Sequence, residues 1–445
     1  MESVNVGLAI VARKFFDMEY VRQVVPALHR ALKYNHIRIC SPQEPILDAE
    51  GAEEASRLFA REGCDLLVVV CATFADASIV AALAKAIDLP MVLWALAEPA
   101  SETGRLRLNS FCGANLAANA LVGLGRPFSF VYGSPDDPDT RKELQSHLRV
   151  ETALKALARS RIALFGVRPE GYYACNFDEM ELRRVVGADV EYVSLPELQA
   201  RAEAGTQDEA SFLAGLRERT AGLESANLEE VRKTGRSYAA LRTLASERRF
   251  DAVAVRCWPE FFADYGHAVC GALSRLTDDG IMAACEADVN GAVTMMAQHS
   301  LTGGASFLAD LVSAERDENS WLLWHCGAGP LTMASPERAP VVGYHPNRKL
   351  AASLWFGMKP GSVTIARLSY QRGRYRMLVA KGEVIDRPGR YQGSNALVRM
   401  EGDALDGARR LVEMGFEHHV AMCYGDVAKE MAAMADRWGI ELVKM

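Results

Sequence analysis

The stretch Val4-Asn-Val-Gly-Leu-Ala-Ile-Val-Ala12 decides the fold class of this 445-residue chain. It is a short apolar run rich in β-branched residues, and similar runs recur through residues 1–160 with helical periodicity between them. Such alternation predicts parallel strands joined by crossover helices, which is a doubly wound, Rossmann-like α/β domain. The further strands are expected at residues 37–40, 66–71, 91–95 and 128–132.

The same pattern starts again at Arg161-Ile-Ala-Leu-Phe165 and predicts a second α/β domain over residues 161–335. A long charged helix near residues 228–249 is expected to be a solvated element of that domain. After residue 335, prolines separate short alternating segments, which is typical of antiparallel β structure. We therefore expect a β-rich, barrel-like third domain over residues 336–445.

The composition excludes several classes of protein. The chain is 49% hydrophobic and 24% charged, as in ordinary soluble domains, and its formal net charge is -7. It has no basic run that could follow a nucleic acid backbone and no apolar window of about 18 residues that could cross a membrane. The start lacks an export signal, and ten cysteines form no CxxC pair, so we expect a cytoplasmic protein with reduced thiols.

Three segments carry polar residues that apolar packing does not explain. The first is Ala284-Cys-Glu-Ala-Asp-Val-Asn-Gly-Ala292, at the expected start of a helix. A carboxylate there, such as Glu286, can point into the cleft at the carboxyl ends of parallel strands, where open α/β sheets bind ligands. The alternative is a group of helix caps, in which Asp288 or Asn290 accepts hydrogen bonds from the first amides of the helix.

The second segment contains Asp310 alone within the apolar run at residues 307–312. Burying this carboxylate is costly unless it is paired or binds a metal, and the alternative is an exposed strand or turn. His325 follows in Trp324-His-Cys-Gly327 and is either a core histidine or a contact of the site.

The third segment is Glu417-His-His-Val-Ala-Met-Cys-Tyr-Gly-Asp426. Neighbouring residues of a strand point to opposite faces, so only one of the two histidines is expected to reach a given site. Two carboxylates and one imidazole form a hard ligand set that suits Mn²⁺ or Mg²⁺ better than structural zinc.

In their order and spacing, these segments resemble the L-fucose isomerase and L-arabinose isomerase superfamily, and the C-terminal region of fucose isomerases is the closer match. The resemblance is strong over residues 250–445, whereas residues 1–160 match only in architecture. It rests, besides Asp310 and His419, on Cys257-Trp-Pro-Glu-Phe261, Cys285-Glu-Ala-Asp-Val-Asn-Gly-Ala292, Trp324-His-Cys-Gly327, Lys359-Pro-Gly-Ser-Val-Thr364 and Cys423-Tyr-Gly425.

The resemblance implies that Glu286, Asp310 and His419, rather than His418, are ligands of a divalent cation such as Mn²⁺ or Mg²⁺. Glu286 and Asp310 would also move protons. The implied activity is aldose–ketose isomerisation of a free sugar through a cis-enediol, and the sugar would be a deoxyhexose, a pentose or an acidic hexose such as a sulfonated one. A sugar-binding module without catalysis and a metal-dependent sugar aldolase are the alternatives.

The resemblance also implies a homo-oligomer, a hexamer or trimer, with sites near the subunit interfaces. In fucose isomerases an N-terminal basic residue contributes to the neighbouring site, and Arg13 or Lys14 is the candidate here. Trp258 and His325 lie next to the polar motifs and are candidate substrate contacts, because an aromatic face is a common platform for a sugar.

Overall fold

The computed structural model of the chain describes residues 4–33, 37–101, 104–205 and 208–445. It divides into two compact units, Met1–Thr152 and Ala153–Met445. In the described part, no helix is both long and apolar enough to cross a lipid bilayer.

The first unit is a doubly wound α/β domain, as predicted. Its five parallel strands have the order β2-β1-β3-β4-β5. The strands are β1 (Val4–Val11), β2 (Ile37–Cys40), β3 (Leu66–Cys71), β4 (Met91–Ala95) and β5 (Ser129–Tyr132). The helices are α1 (Met18–Leu32), α2 (Ala49–Arg61), α3 (Ala77–Ala86) and α4 (Ser110–Gly123), and α5 (Pro138–Ala158) runs across the division between the units.

Helices cover both faces of this sheet, which explains why its strands are apolar runs rather than alternating ones. Successive side chains of β1 point to opposite faces, so Leu8 and Ile10 belong to one hydrophobic cluster and Ala9 and Val11 to another. The first cluster includes residues of α1, and the second includes residues of α2, α3 and α4.

The second unit begins with a four-stranded parallel sheet of order β7-β6-β8-β9. Its strands are β6 (Arg161–Phe165), β7 (Asp189–Val193), β8 (Ala252–Val255) and β9 (Met282–Cys285). The helices of this part are α6 (Glu179–Val185), α7 (Leu195–Ala204), α8 (Asp208–Arg219), α9 (Leu228–Arg248), α10 (Glu260–Ala263), α11 (Cys270–Asp278) and α12 (Val289–Thr302). The charged residues of α9 predicted a solvated helix, but one side of this helix is buried. The buried side includes Val231, Tyr238, Leu241 and Leu244.

A nine-stranded sheet follows, and six of its strands close into a barrel because β15 also pairs with β16. The strands are β10 (Ser306–Glu315), β11 (Ser320–His325), β12 (Val341–Tyr344), β13 (Ala351–Gly357), β14 (Gly361–Gln371), β15 (Arg374–Val384), β16 (Ser394–Met400), β17 (His419–Tyr424) and β18 (Glu441–Lys444). Around the barrel the order is β16-β11-β10-β17-β14-β15. Two helices, α13 (Ala404–Glu413) and α14 (Ala428–Arg437), complete this part.

The expected β-rich C-terminal part is therefore confirmed, and its strands begin earlier in the chain than the alternation suggested. Asp310 was assigned to the second α/β domain from sequence, whereas β10, which carries it, is a barrel strand. The parallel sheet and the barrel share one hydrophobic core, since Phe165 and Val255 lie in the same buried cluster as Trp321 and Leu378. This shared core holds the end of β9 against the barrel strands.

Candidate active site

Glu286 lies in the short turn between β9 and α12. Glu286 and Ala287 both have left-handed backbone angles, with φ of 57° and 58°. Holding a non-glycine residue there costs about 1 kcal/mol or more, and such strain is concentrated at functional sites. Asp288 then caps α12 by accepting a hydrogen bond from the Gly291 amide over 2.8 Å. The turn thus places a carboxylate at the carboxyl end of a parallel strand, as the sequence predicted.

Asp310 and His419 are brought together by strand pairing. They are directly opposite each other in the antiparallel pair of β10 and β17. His419 is 1% exposed, and its Nε2 lies 3.6 Å from Asp310 Oδ1 and 3.6 Å from Glu286 Oε2. The three predicted ligands therefore meet around one imidazole nitrogen, two from barrel strands and one from the α/β layer.

The other nitrogen of His419 is held by a buried ionic group. His419 Nδ1–H donates to Asp288 Oδ2 over 2.9 Å. Arg367 of β14, fully buried, donates to both oxygens of Asp288 over 2.6 and 3.1 Å and to Glu417 over 3.3 Å. Burial raises the pKa of Asp288, but the Arg367 charge and the His419 hydrogen bond outweigh this and hold the pKa well below its usual range. Asp288 is therefore both a helix cap and a fixed anion.

His418 also reaches the site, which corrects the expectation that only one of the two histidines would. Its Nε2 lies 3.4 Å from Glu286 Oε2 and 3.8 Å from Asp310 Oδ1. The alternation of a strand does not apply, because β17 begins only at His419 and the two rings lie 4.1 Å apart. Burial lowers the pKa of His418, but its hydrogen bond to Glu286 and the charge of Asp310 outweigh this and raise it.

Glu286 stays ionised in this setting. Burial raises the pKa of its carboxyl group. The hydrogen bond with His418 and the nearby His419 and His325 lower this pKa by more than burial raises it, so the net shift is downward. Trp258 Nε1–H donates to Glu286 Oε1 over 3.1 Å. The carboxylate is thus oriented by a tryptophan on one oxygen and by the histidines on the other.

The donor set fits a divalent cation. Ligand atoms of Glu286, His418 and His419 lie within 4.8 Å of one another. His419 Nε2 is buried and has no hydrogen-bond partner among the described residues. Since Nδ1 is engaged by Asp288, Nε2 is the nitrogen that faces the two carboxylates and can bind a cation. A cation there would satisfy Glu286, His418 and His419 together, and Asp310 Oδ1 lies 3.6 Å from the same Nε2.

The remaining predicted contacts of this unit lie around the same cluster. Trp258 packs edge-to-face with Tyr172, with ring centroids 5.0 Å apart, and Tyr172 also lies 5.8 Å from His418. His325 is buried at the end of β11, 5.6 Å from the His419 ring, and its Nε2 has no described hydrogen-bond partner. Both residues are therefore adjacent to the carboxylates.

Arg13 and Lys14 belong to the other unit. They follow β1 and are exposed; the Arg13 amide donates to Thr73 Oγ1 over 2.8 Å, and its guanidinium lies 5.5 Å from the Phe15 ring centroid. Their role at a site stays a prediction.

Sequence reasoning missed Tyr172, Arg367 and the role of Glu417. Arg367 carried a signal, because it is a charge within the apolar run of β14 and the argument used for Asp310 applies to it equally. Tyr172 lies in a loop with no recognisable pattern.

Comparison with known proteins assigns this arrangement of α/β layers, six-stranded barrel, carboxylates and histidines to the aldose–ketose isomerases that act on sugars. The family model described as "Fucose/sulfoquinovose isomerase, N-terminal domain" matches residues 7–158, and "L-fucose isomerase, C-terminal domain" matches residues 324–445. The chain belongs to this fucose/sulfoquinovose isomerase family, as the sequence resemblance indicated. The match to residues 7–158 corrects the expectation that the N-terminal part agrees with the family only in architecture.

Curated relatives match nearly the whole chain. The sulfoquinovose isomerases of Priestia aryabhattai and Priestia megaterium are each 32% identical over 443 residues, which cover 99% of this chain and 99% of theirs. The sulfoquinovose isomerase of Alkalicoccus urumqiensis is 33% identical over 384 residues, 86% of each chain. These matches favour the isomerase over the sugar-binding module and the aldolase.

Proposed function

We propose that the protein converts sulfoquinovose, a sulfonated aldohexose, to the corresponding ketose, using a divalent cation held by Glu286, Asp310 and His419. The similarity to sulfoquinovose isomerases over 99% of both chains supports the substrate. The observation that carries the mechanism is the buried, unpartnered Nε2 of His419, 3.6 Å from an oxygen of each carboxylate.

The reaction removes a proton from C2 of the aldose, delivers one to C1 and moves a hydroxyl proton between the two oxygens. Glu286 approaches from the turn after β9 and Asp310 from β10, so they can lie beside neighbouring sugar carbons, one as base and the other as acid, through a cis-enediol. The lowered pKa of Glu286 keeps that carboxylate ready to accept a proton near neutral pH. The Trp258 hydrogen bond keeps it from rotating away.

The cation is proposed to be Mn²⁺ or Mg²⁺, because two carboxylates and one imidazole leave room for sugar oxygens. When bound, it supplies Lewis-acid stabilisation of the negative charge that develops on those oxygens. Asp288 and Arg367 hold His419 in the tautomer that such binding needs.

An NMR assay with Mn²⁺-loaded protein tests the proposal. Sulfoquinovose, L-fucose and a pentose are incubated separately in D₂O, and we expect interconversion fastest for sulfoquinovose, with deuterium entering at the transferred position. If L-fucose or the pentose is converted faster, that sugar replaces sulfoquinovose as the proposed substrate. Isomerisation without uptake of deuterium from the solvent would contradict the enediol intermediate. If none of the three aldoses is converted to a ketose, the proposed function is wrong.

We also propose a homo-oligomer, a hexamer or trimer, in which Arg13 or Lys14 serves the neighbouring subunit, on the basis of the resemblance to fucose isomerases. Light scattering measures the assembly. Mixing subunits of Glu286→Gln with subunits of an Arg13→Gln/Lys14→Gln double variant tests the shared site. Activity regained on mixing supports it, whereas a fully active double variant contradicts it.

A further inference from the structure

The exposed Arg348 guanidinium lies next to two aromatic side chains, one of which contacts Glu286. Its central carbon is 5.9 Å from the Trp258 ring centroid and 5.8 Å from that of Phe262. Trp258 in turn donates to Glu286. Among the residues that the structure describes, no carboxylate forms an ion pair with Arg348. One indole ring therefore separates a free guanidinium from the carboxylate assigned to proton transfer.

The backbone that carries Arg348 is held in place. His345, only 7% exposed, accepts at Nδ1 from the Asn347 and Arg348 amides, each over 3.3 Å. The loop is closed by hydrogen bonds from the Lys349 amide to the His345 carbonyl over 2.9 Å and from the His345 amide to the Leu350 carbonyl over 2.7 Å. The imidazole packs edge-to-face on Phe262, 4.8 Å between centroids. The backbone of Arg348 is thus held by this turn, and its exposed side chain lies against the rings of Trp258 and Phe262.

This arrangement leaves the N–H groups of the Arg348 guanidinium available to bind an anion. Stacking against aromatic rings occupies its face, while its N–H donors lie at its edge and form a fork that suits an oxyanion. A sulfonate presents three oxygens to such a fork, as a phosphate does. The divalent cation proposed at Glu286 and Asp310 is balanced by those two carboxylates, so the sulfonate needs a positively charged partner of its own, which Arg348 can supply.

We propose that Arg348 binds the sulfonate of the substrate, with the sugar lying along Trp258 between this residue and Glu286. The inference rests on the proposed function for its substrate and goes beyond it by assigning the residue that selects a charged sugar. It predicts discrimination between two sugars that differ only at C6, sulfoquinovose and 6-deoxyglucose.

The test compares Arg348→Gln, which removes the charge, with Lys349→Gln, which removes the charge of the next, exposed residue of the same loop. We expect the ratio of kcat/KM for sulfoquinovose to kcat/KM for 6-deoxyglucose to fall about tenfold to hundredfold in Arg348→Gln, the scale of losing a charge-assisted hydrogen bond. The loss should appear in KM. In Lys349→Gln the ratio should stay within about twofold of wild type. An unchanged ratio in Arg348→Gln overturns the proposal.

Calorimetry with the sugar alcohol of sulfoquinovose separates this inference from the isomerase assignment, since the alcohol cannot be isomerised. Binding that depends on Arg348 supports the sulfonate site even if no aldose is turned over, whereas equal affinity of wild type and Arg348→Gln refutes it. Glucose 6-phosphate and glucuronate serve as competitors. Either one binding more tightly than the sulfonated alcohol would assign the residue to a different anion.

Discussion

His419 and Asp288 share a buried hydrogen bond, 2.9 Å from Nδ1 to Oδ2, and this bond decides which nitrogen of the imidazole faces Glu286 and Asp310. A carboxylate acceptor requires the proton on Nδ1, so Nε2 is the nitrogen left to face the two carboxylates and to bind a cation. Arg367 holds Asp288 through two further hydrogen bonds. The proposed metal site therefore depends on Asp288 and Arg367, which are not themselves proposed ligands.

Asp288→Asn should weaken cation binding. Asparagine can still cap α12, but it removes the negative charge that holds the Nδ1 proton. We expect Mn²⁺ affinity to fall about tenfold to hundredfold, the usual range for losing such a partner. Titration of metal-depleted protein with Mn²⁺ measures it.

Asp403→Asn is the matched control. Asp403 is exposed and caps α13 by accepting from the Asp406 amide over 2.8 Å, so it has the cap function alone. Mn²⁺ affinity should be that of wild type in this variant. Equal Mn²⁺ affinity in Asp288→Asn and Asp403→Asn would show that the hydrogen bond between Asp288 and His419 does not affect cation binding.

Glu286→Gln and Asp310→Asn should each leave a folded protein with isomerase activity lowered by roughly 10² or more, the scale of losing an acid or base. Both side chains are partly exposed, so neither change disrupts the core. Glu315→Gln is the control, because Glu315 lies on the same strand as Asp310 but forms an ion pair with Arg390. Ordinary turnover in either carboxylate variant would remove that residue from the mechanism.

The parallel part of the fold was predictable because its strands are buried on both faces. All five strands predicted in residues 1–160 match β1 to β5 to within one residue at each end. The barrel was predicted only as a type of structure. β10 and β11 pair with β17 and β16, which follow much later in the chain, and local alternation does not show distant partners.

The candidate site was likewise predictable only in part. Residue type and spacing, together with the resemblance, selected Glu286, Asp310 and His419, and the structure brings all three together. The pairing of Asp288 with Arg367 spans 79 residues, and no sequence pattern connects the two. A rule for strand interiors predicted that only one of the two histidines reaches the site, and the resemblance selected His419. The rule fails because His418 lies just before the first residue of β17.

His419→Gln and His418→Gln should differ in metal content. His419 presents a buried, unpartnered nitrogen to both carboxylates, whereas the His418 side chain is 39% exposed and already bonded to Glu286. We expect purified His419→Gln to lose bound Mn²⁺ and His418→Gln to retain most of it, as measured by elemental analysis. EDTA should abolish wild-type activity and Mn²⁺ should restore it. Full metal content in His419→Gln would contradict the ligand assignment.

His267 should make the folded state less stable in acid. It is 2% exposed and contacts Ser237 Oγ through Nε2 over 2.8 Å. Burial lowers its pKa from 6.5 to about 4, helped by the charges of Lys233 and Arg236 and opposed by its hydrogen bond to the Tyr265 carbonyl. The unfolded chain therefore binds a proton at a higher pH than the folded protein does.

The resulting penalty is absent above about pH 6.5 and grows as the pH falls, to at most about 3 kcal/mol near pH 4. A non-titrating replacement, His267→Gln, should be less stable than wild type at pH 7.5 because it disturbs the packing, and this difference should shrink between pH 6.5 and pH 4. Thermal unfolding of both proteins across that range measures it. A difference that stays constant with pH would mean that His267 takes up its proton equally in the folded and unfolded states.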